Sequence, residues 1–166
     1  MVWTTVYDFG NESLRIGPMF LPVIFVLIGY GMSAFNIRFN RSKGGKRNYI
    51  IVFGIIFGTF ALFFAVVIIP HNFSTYYKTK KIYESKEYKI IEGLVEKFRP
   101  MPYSGHQDET FTLNGINFSY SDFDESYYGF NNTKSHGGPI DQNKKVRLSY
   151  FSSQKKNIIL KIEVLK

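Results

Sequence analysis

Tyr49-Ile-Ile-Val-Phe-Gly-Ile-Ile-Phe-Gly-Thr-Phe-Ala-Leu-Phe-Phe-Ala-Val-Val-Ile-Ile-Pro70 is a run of 22 residues without a charged side chain. A second charge-free run of 22 residues covers positions 16–37. A helix rises about 1.5 Å per residue, so either run can cross a bilayer core of roughly 30 Å. Neither run has the polar stripe that a helix at the surface of a soluble protein presents to water. We therefore predict two transmembrane helices, 16–37 and 49–70, rather than two core helices of a soluble protein.

The segment between the two predicted helices, residues 38–48, contains basic residues and no acidic one, which is typical of a cytoplasmic loop. Its basic residues are Arg38, Arg41, Lys43, Lys46 and Arg47. This loop accounts for much of the net charge of +8, so the charge gives no reason to infer nucleic-acid binding. The absence of cysteine excludes disulfides and thiolate metal sites.

The N-terminal flank, residues 1–15, lacks the basic region and cleavage site of a secretory signal, so we expect the first helix to be retained. Arg15 is the basic residue of this flank, which favours both chain termini outside the cytoplasm of a bacterial inner membrane. Five lysines that follow the second helix weigh against this orientation and leave a cytoplasmic C-terminal domain open. They are Lys78, Lys80, Lys81, Lys86 and Lys89.

Small residues indicate where the helices can approach closely. Gly54, Gly58 and Ala61 form a small-residue strip on the second helix, and Gly31 and Ala34 offer a counterpart on the first. In lipid, such strips allow close backbone approach and dispersion contacts. The strip predicts either packing within one hairpin or contact with a second copy or another partner.

The chain after the second helix changes character twice. Residues 71–87 are rich in Tyr and Lys, as expected for an interfacial linker or a helix that continues from the membrane. From residue 88 to 166 the apolar residues alternate with polar ones, which predicts a soluble β domain. Alternation within 88–98, 145–150 and 158–164 predicts three of its strands, and residues 152–157 form the turn between the last two.

The clearest β unit is Glu109-Thr-Phe-Thr-Leu-Asn-Gly-Ile-Asn-Phe-Ser-Tyr120, which contains Asn114-Gly115. These two residues tolerate the positive φ angles of a type I′ turn and predict a two-residue hairpin. The register pairs Phe111 with Phe118 and places one apolar face toward the core. Five strands in such a short segment predict a small barrel or sandwich of the OB or SH3 kind, following a two-helix transmembrane hairpin.

Two loops between the predicted strands, Pro100–Asp108 and Tyr127–Ile140, are the candidate binding segments, because loops on a rigid sheet often carry function. Their candidate residues are Tyr103, His106, Asp108, Tyr128, Phe130, His136, Gly137 and Gly138. The two histidines with a carboxylate form a conceivable metal site, but their spacing fits no known metal motif and we predict neither metal nor cofactor. The glycine pair favours a turn over an anion-binding nest. The aromatic rings favour core packing or a protein interface over stacking on bases.

The segments Pro100-Met-Pro-Tyr-Ser-Gly-His106, Glu109-Thr-Phe-Thr-Leu-Asn-Gly115 and Ser135-His-Gly-Gly-Pro-Ile140 resemble uncharacterised bacterial small membrane proteins in which a β domain follows or interrupts transmembrane helices. The resemblance covers mainly residues 88–166 and implies no established activity. In layout alone the chain also looks like membrane-embedded β-barrel effectors of cyclic-nucleotide antiphage defence.

The sequence contains no nucleophile elbow, phosphate loop or dinucleotide motif, so nothing in it favours catalysis. Our leading hypothesis is a non-enzymatic membrane-anchored protein whose β domain binds another protein, as accessory subunit or assembly factor of a membrane complex. The alternative is a ligand-gated membrane effector, in which the β domain senses a small anion and the helices oligomerise. The expected partners are thus the lipid bilayer and a protein or a second copy of the chain. Nucleic acid is not expected.

Overall fold

The computed structural model describes residues 1–39, 44–103, 105, 107–124, 128–153 and 156–166. The chain divides into a helical hairpin of residues 14–74 and a β unit formed by residues 1–13 together with 75–166. The elements, in chain order, are β1 (Trp3–Asp8), α1 (Gly17–Arg38), α2 (Gly45–Glu84), β2 (Lys89–Arg99), β3 (Glu109–Leu113), β4 (Ile116–Tyr120), β5 (Lys145–Ser152) and β6 (Asn157–Leu165).

Both helices are long and apolar enough to cross a membrane, by their length and composition. The share of the tested segment that is buried within the structure is 17% for α1 and 22% for α2, whereas the core helix of a soluble protein is mostly buried. At the basic loop, the Arg47 guanidinium donates to the carbonyl oxygens of Asn36 (3.2 Å) and Ile37 (3.4 Å). These bonds satisfy carbonyls in the last turn of α1 that have no partner within the helix. The loop residues 40–43 lie outside the described residues.

The second helix is longer than the predicted membrane span. It continues without a break through Pro70 and to Glu84, so most of the segment 71–87 is helical, which corresponds to the alternative of a continuing helix and not to that of a linker. Pro70 removes one backbone N–H donor, but the rest of a long helix retains its hydrogen bonds. The boundary between the hairpin and the β unit, at Ser74 and Thr75, therefore falls inside α2.

The β unit contains one six-stranded antiparallel sheet with the strand order β1-β6-β5-β2-β3-β4. The predicted hairpin is confirmed, since Phe111 pairs with Phe118 across β3 and β4. Asn114 and Gly115 have the positive φ angles, 46° and 79°, that a type I′ turn requires. One face of the curved sheet holds the apolar core. The buried core residues are Val95, Phe111, Leu113, Phe118, Tyr120, Phe130, Ile140, Val146, Leu148, Tyr150, Ile159, Ile162 and Val164.

The N-terminal flank is part of the sheet. Trp3 to Asp8 form the edge strand β1, which pairs with β6, and the backbone groups of Val2 and Lys166 exchange two hydrogen bonds. Phe9 follows as a buried residue that packs against Tyr76 and Tyr83, near the end of α2. The β unit is thus made from both ends of the described chain.

The sheet is open, so the closed barrel expected from the strand count does not form. The reason is that β1 occupies the edge of β6 over residues 161–165, where a barrel would have paired β6 with β4. At the beginning of β6, the Asn157 amide donates to the carbonyl of Asn117 in β4 (2.8 Å), and the Phe130 N–H, from the connection between β4 and β5, donates to the carbonyl of Ile159 (2.8 Å). The structure supports two long apolar helices combined with an antiparallel sheet, without a barrel.

Candidate functional site

The two predicted loops are joined to each other by buried contacts. Met101, in the loop between β2 and β3, is 2% exposed. Its carbonyl accepts a hydrogen bond from the Ser135 hydroxyl (2.6 Å), and its sulfur lies 3.5 Å from the Ser121 hydroxyl. Ser121 and Ser135 both belong to the long connection between β4 and β5. These contacts fix the two loops relative to one another.

An exposed pair of rings lies on these joined loops. The ring centroids of Tyr103 and His136 are 5.3 Å apart, and Tyr103 is 78% exposed. We call these two residues the Tyr103–His136 surface. Large aromatic side chains that remain exposed on a fixed backbone are typical anchors of protein interfaces.

Asp122 holds the imidazole of this surface. One carboxylate oxygen of Asp122 lies 2.6 Å from His136 Nδ1 and accepts from the Thr133 hydroxyl (2.5 Å), while the other accepts from the Thr133 N–H (2.7 Å). Burial acts to raise the pKa of Asp122, but the bonds from Thr133 and His136 outweigh it and lower that pKa overall. The imidazole is thereby fixed in orientation through Nδ1, and Nε2 points away from this bond.

A buried carboxylate lies at the base of the same loops. Glu109 is fully buried at the start of β3, where it accepts hydrogen bonds from the Tyr120 hydroxyl (2.5 Å) and from the Lys134 N–H (2.9 Å). Burial raises the pKa of Glu109, and the donated bonds oppose that effect without cancelling it. Burial and the adjacent Glu109 also raise the pKa of Tyr120. Because Glu109 ties the backbone of Lys134 to the sheet, it holds the turn that carries His136.

Gly137 and Gly138 allow the chain to form that turn. Residues Lys134–His136 form a 3₁₀ turn, and Gly137 follows with a φ of 92°. A Cβ at Gly138 would lie 2.2 Å from the Asn132 carbonyl oxygen, so only glycine fits. The N–H groups of Gly137 and Gly138 donate to the carbonyls of Lys134 and Thr133. The amides that an anion nest would need are therefore already engaged, and the structure corresponds to the turn alternative.

The remaining predicted loop residues lie apart from the Tyr103–His136 surface. Tyr128 is buried and packs against Tyr76 with ring centroids 5.1 Å apart, and Phe130 belongs to the core. Asp108 accepts a hydrogen bond from Ser119 on the outer face of the β3–β4 hairpin. His106 lies outside the described residues. Among the residues that the structure describes, no three His, Asp or Glu side chains are grouped to hold a metal ion.

Of the predicted helix-packing residues, Gly54 and Gly58 on α2 contact the other helix, whereas those on α1 do not. A Cβ at Gly54 would lie 2.4 Å from Ser33 Oγ and 2.6 Å from the Gly29 carbonyl, and a Cβ at Gly29 would meet Gly58 at 2.6 Å. The Ser33 hydroxyl, in turn, donates across the interface to the Ile51 carbonyl (2.9 Å). Gly54 and Gly58 thus pack against α1 of the same chain. Their counterparts on α1 are different residues from those expected.

Gly31 has open space around it, and Ala34 is exposed. Ala61 is 6% exposed and, with Phe25 and Phe57, lines an apolar groove of the hairpin. Gly54 and Gly58 were therefore predicted on the contacting face of α2, whereas the matching face of α1 carries Gly29 and Ser33 instead of Gly31 and Ala34. Ser33 carried a usable signal, since it is a polar residue inside an apolar run and must bond to a backbone group there.

Asp122 and His136 form an Asp–His pair, an arrangement that also occurs in nucleophilic catalysis. Among the described residues beside this pair, the Ser135 hydroxyl donates to Met101 and the Thr133 hydroxyl donates to Asp122. Sequence reasoning missed Asp122, although an acidic residue just after a strand, followed by Thr, Ser and His in the next loop, is a usable signal for a loop-fixing network.

Comparison with known proteins adds no functional information. No protein-family model, no curated protein and no solved structure matches the chain. The likeness to small bacterial membrane proteins, drawn from the loop sequences, stays a prediction. The function is therefore inferred from the geometry of the loops, the sheet and the helices.

Proposed function

We propose that the chain is a non-enzymatic membrane-anchored protein whose β unit binds another protein, as accessory subunit or assembly factor of a membrane complex. The observation that carries this proposal is the exposed Tyr103 ring on a loop that the Ser135–Met101 hydrogen bond ties to the connection between β4 and β5. Exposed apolar area contacts water at a cost, and a rigid platform loses little conformational entropy when a partner covers it. Both properties favour an interface.

The preorganisation of this surface supports the proposal further. Glu109 and Asp122 are carboxylates that accept hydrogen bonds from backbone N–H groups of the loop between β4 and β5. Buried polar networks of this kind fix one loop conformation when each member is satisfied. The Tyr103–His136 surface is then the centre of the proposed interface.

The membrane anchor is the second part of the proposal. The two helices would cross a bacterial inner membrane with the basic loop 38–48 in the cytoplasm, which places the β unit outside. Since β1 and β6 pair in one sheet, both ends of the described chain lie on the same side of the membrane that the helices would cross. Reporter domains fused to the C-terminus, one active in the cytoplasm and one outside, test this orientation.

Site-specific photo-crosslinking tests the proposed interface in cells. A photoreactive phenylalanine at position 103 should give a discrete adduct with one protein, because this position is at the centre of the surface. The same residue at position 90 is the matched control, since Ile90 is also exposed (64%) but lies on β2. A His136→Ala change should reduce the adduct from position 103. Equal adducts from both positions, or none from position 103, would contradict the proposal.

The ligand-gated effector is kept as the second candidate because α2 belongs to both units without interruption. A change at the β unit would be transmitted along one continuous helix. Oligomers would have to use another surface than Gly54 and Gly58, since α1 covers these glycines. A cytoplasmic result from the C-terminal reporters, together with toxicity on overexpression, would favour this candidate over partner binding.

A further inference from the structure

A shallow groove lies along β2, β3 and β4. Its volume is about 260 Å³. It is lined by six polar or charged residues, Lys97, Arg99, Thr110, Thr112, Asn117 and Ser119, and by the core residues Phe111 and Phe118. The hydroxyl and amide side chains come from the wet face of the hairpin, and the two cations come from the end of β2.

A β-bulge places the two cations in this groove. Glu96 pairs with Thr112 and Arg99 pairs with Thr110, so β2 has extra length opposite β3. Lys97 lies in this bulge with a φ of 50°, a conformation that side chains other than glycine rarely adopt. The Gln142 side chain accepts from the Phe98 N–H (2.8 Å), which replaces the backbone bond that the bulge removes. Strained residues of this kind cluster at binding sites.

Several donors in the groove have no partner within the described part of the chain. The structure gives no hydrogen bond or ion pair for the side chains of Lys97, Arg99, Thr110 and Asn117 among the described residues. By contrast, the Thr112 hydroxyl donates to the Glu96 carbonyl (3.2 Å). Two cations beside two unused neutral donors form the donor set that an oxyanion requires.

One acidic residue borders the groove, because Ser119, which lines it, donates to Asp108, although Asp108 is not itself among the lining residues. Lys156 forms an ion pair with Asp124. Burial lowers the pKa of Lys156, and the charge of Asp108 acts in the opposite direction. Glu96 is opposite Thr112, at the other end of the bulge from Arg99, and does not line the groove.

We propose that the groove between Lys97 and Arg99 is a binding site for a phosphate group. Lys97 and Arg99 supply the charge, and the Thr110 hydroxyl and the Asn117 amide supply neutral donors. The group belongs to a soluble phosphorylated ligand or to a lipid headgroup, since both present the same oxygens. The site is independent of the Tyr103–His136 surface, so it stands whether or not a protein binds there.

Binding is tested with the purified full-length chain in a neutral detergent by isothermal titration calorimetry. The probes are inorganic phosphate and pyrophosphate for a soluble ligand, and short-chain phosphatidylglycerol and phosphatidic acid for a headgroup. We expect saturable binding of one class, and its identity assigns the source. The Lys97→Gly/Arg99→Gln variant should bind at least about tenfold more weakly, because it loses both charged donors of the site.

The Lys97→Gly/Arg99→Gln variant should still fold, because glycine adopts the positive φ at position 97 without strain. The matched control is Lys145→Gln, which removes a lysine of the same sheet that is paired with Glu92 outside the groove. It should leave the affinity unchanged. The proposal is overturned if no probe binds saturably, or if the double variant and the control bind like the original chain. Loss of binding in the control as well would indicate a general charge effect and would also overturn it.

Discussion

Large apolar side chains are exposed on the surface of the helical hairpin but buried inside the β unit. In the hairpin, Phe60, Phe63 and Val66 are each more than 60% exposed, whereas Val95 and Leu113 in the β unit are fully buried. Apolar side chains are driven together only where water surrounds the chain. The exposed apolar surface of the hairpin agrees with two helices that are long and apolar enough to cross a membrane.

The two units also differ in what joins their elements. The hairpin is closed by glycines and by the Ser33 hydroxyl, which bonds to a backbone carbonyl on the other helix. The β unit is closed by large side chains, with Phe111 stacked on Phe118 at 5.1 Å. Small residues permit backbone approach in lipid, and large ones remove area from water in a soluble core. This difference is tested by substitutions that remove a large side chain from the β unit or add one between the two helices.

The largest effect is expected from Phe111→Ala in the β unit. Phe111 is 2% exposed, so its removal should lower the free energy of unfolding by about 3–5 kcal/mol. Phe63→Ala in the hairpin is the matched control, because Phe63 is 65% exposed and its loss leaves no cavity. Urea titration of the full-length chain in detergent, followed by tyrosine fluorescence and circular dichroism, measures both. Similar losses for the two variants would show that the hairpin also has a water-excluding core.

The next effect is expected from Gly54→Leu, which breaks the helix contact. The new side chain would overlap Ser33 and the Gly29 backbone, and overpacking of this kind costs about 1–3 kcal/mol. Gly31→Leu is the control, since Gly31 has open space around it. Distances between spin labels on α1 and α2 should increase in the first variant only. An increase in both variants, or in neither, would contradict the assigned faces.

A smaller effect concerns the pH dependence of the β unit. Burial raises the pKa of Glu109 above its ordinary 4.5, so its contribution to stability is greatest in acid and decreases as the pH rises through that range. Relative to Glu109→Gln, the original chain should therefore lose stability as the pH rises above about 4.5.

Asp122→Asn, in the same network, should reveal the opposite dependence of stability on pH. The pKa of Asp122 is lowered, so its contribution is present above 3.8 and is lost as the pH falls through the lowered value. Thermal unfolding from pH 3 to 8 should show the two opposite trends. Parallel trends in the two variants would show that these carboxylates do not act as the structure indicates.

The smallest effect is expected on the polar outer face of the sheet. Arg147 donates to Glu92 at 2.9 and 3.1 Å, and its guanidinium lies 4.3 Å from the centre of the Trp3 ring. Arg147→Lys keeps the charge but loses the planar stacking, which should cost about 0.5–1 kcal/mol at this partly exposed position. Chemical denaturation measures the difference. Lys80→Gln, which affects one exposed pair with Glu84, is the control and should change stability by less than about 0.5 kcal/mol.

The sequence predicts those parts of the fold whose information is local. The turn at Asn114-Gly115 specifies its own register, and a charge-free run specifies a helix without reference to the rest of the chain. It does not predict β1, because the partner of Trp3–Asp8 is the last strand and no local pattern connects them. The open sheet follows from β1, which the sequence did not predict, because β1 occupies the edge of β6 that would have paired with β4 in a barrel.

The candidate site was predicted only in part for the same reason. The loops and two of their residues, Tyr103 and His136, were identifiable as polar and aromatic segments between strands. Asp122, which orients His136, is brought to it by the fold and not by sequence proximity. Tyr128 and Phe130 have the composition of a binding loop, yet the sheet uses them as core.

The pairing of β1 with β6 sets a constraint on how the protein is made. During synthesis β1 leaves the ribosome before both helices, whereas β6 is the last described strand to be completed. The edge of β1 therefore stays unpaired while both helices and the later strands are synthesised, and an exposed strand edge is a template for wrong pairing. The short, bulged β1 limits that hazard. A chaperone or early partner that shields residues 3–8 would act before the β unit exists.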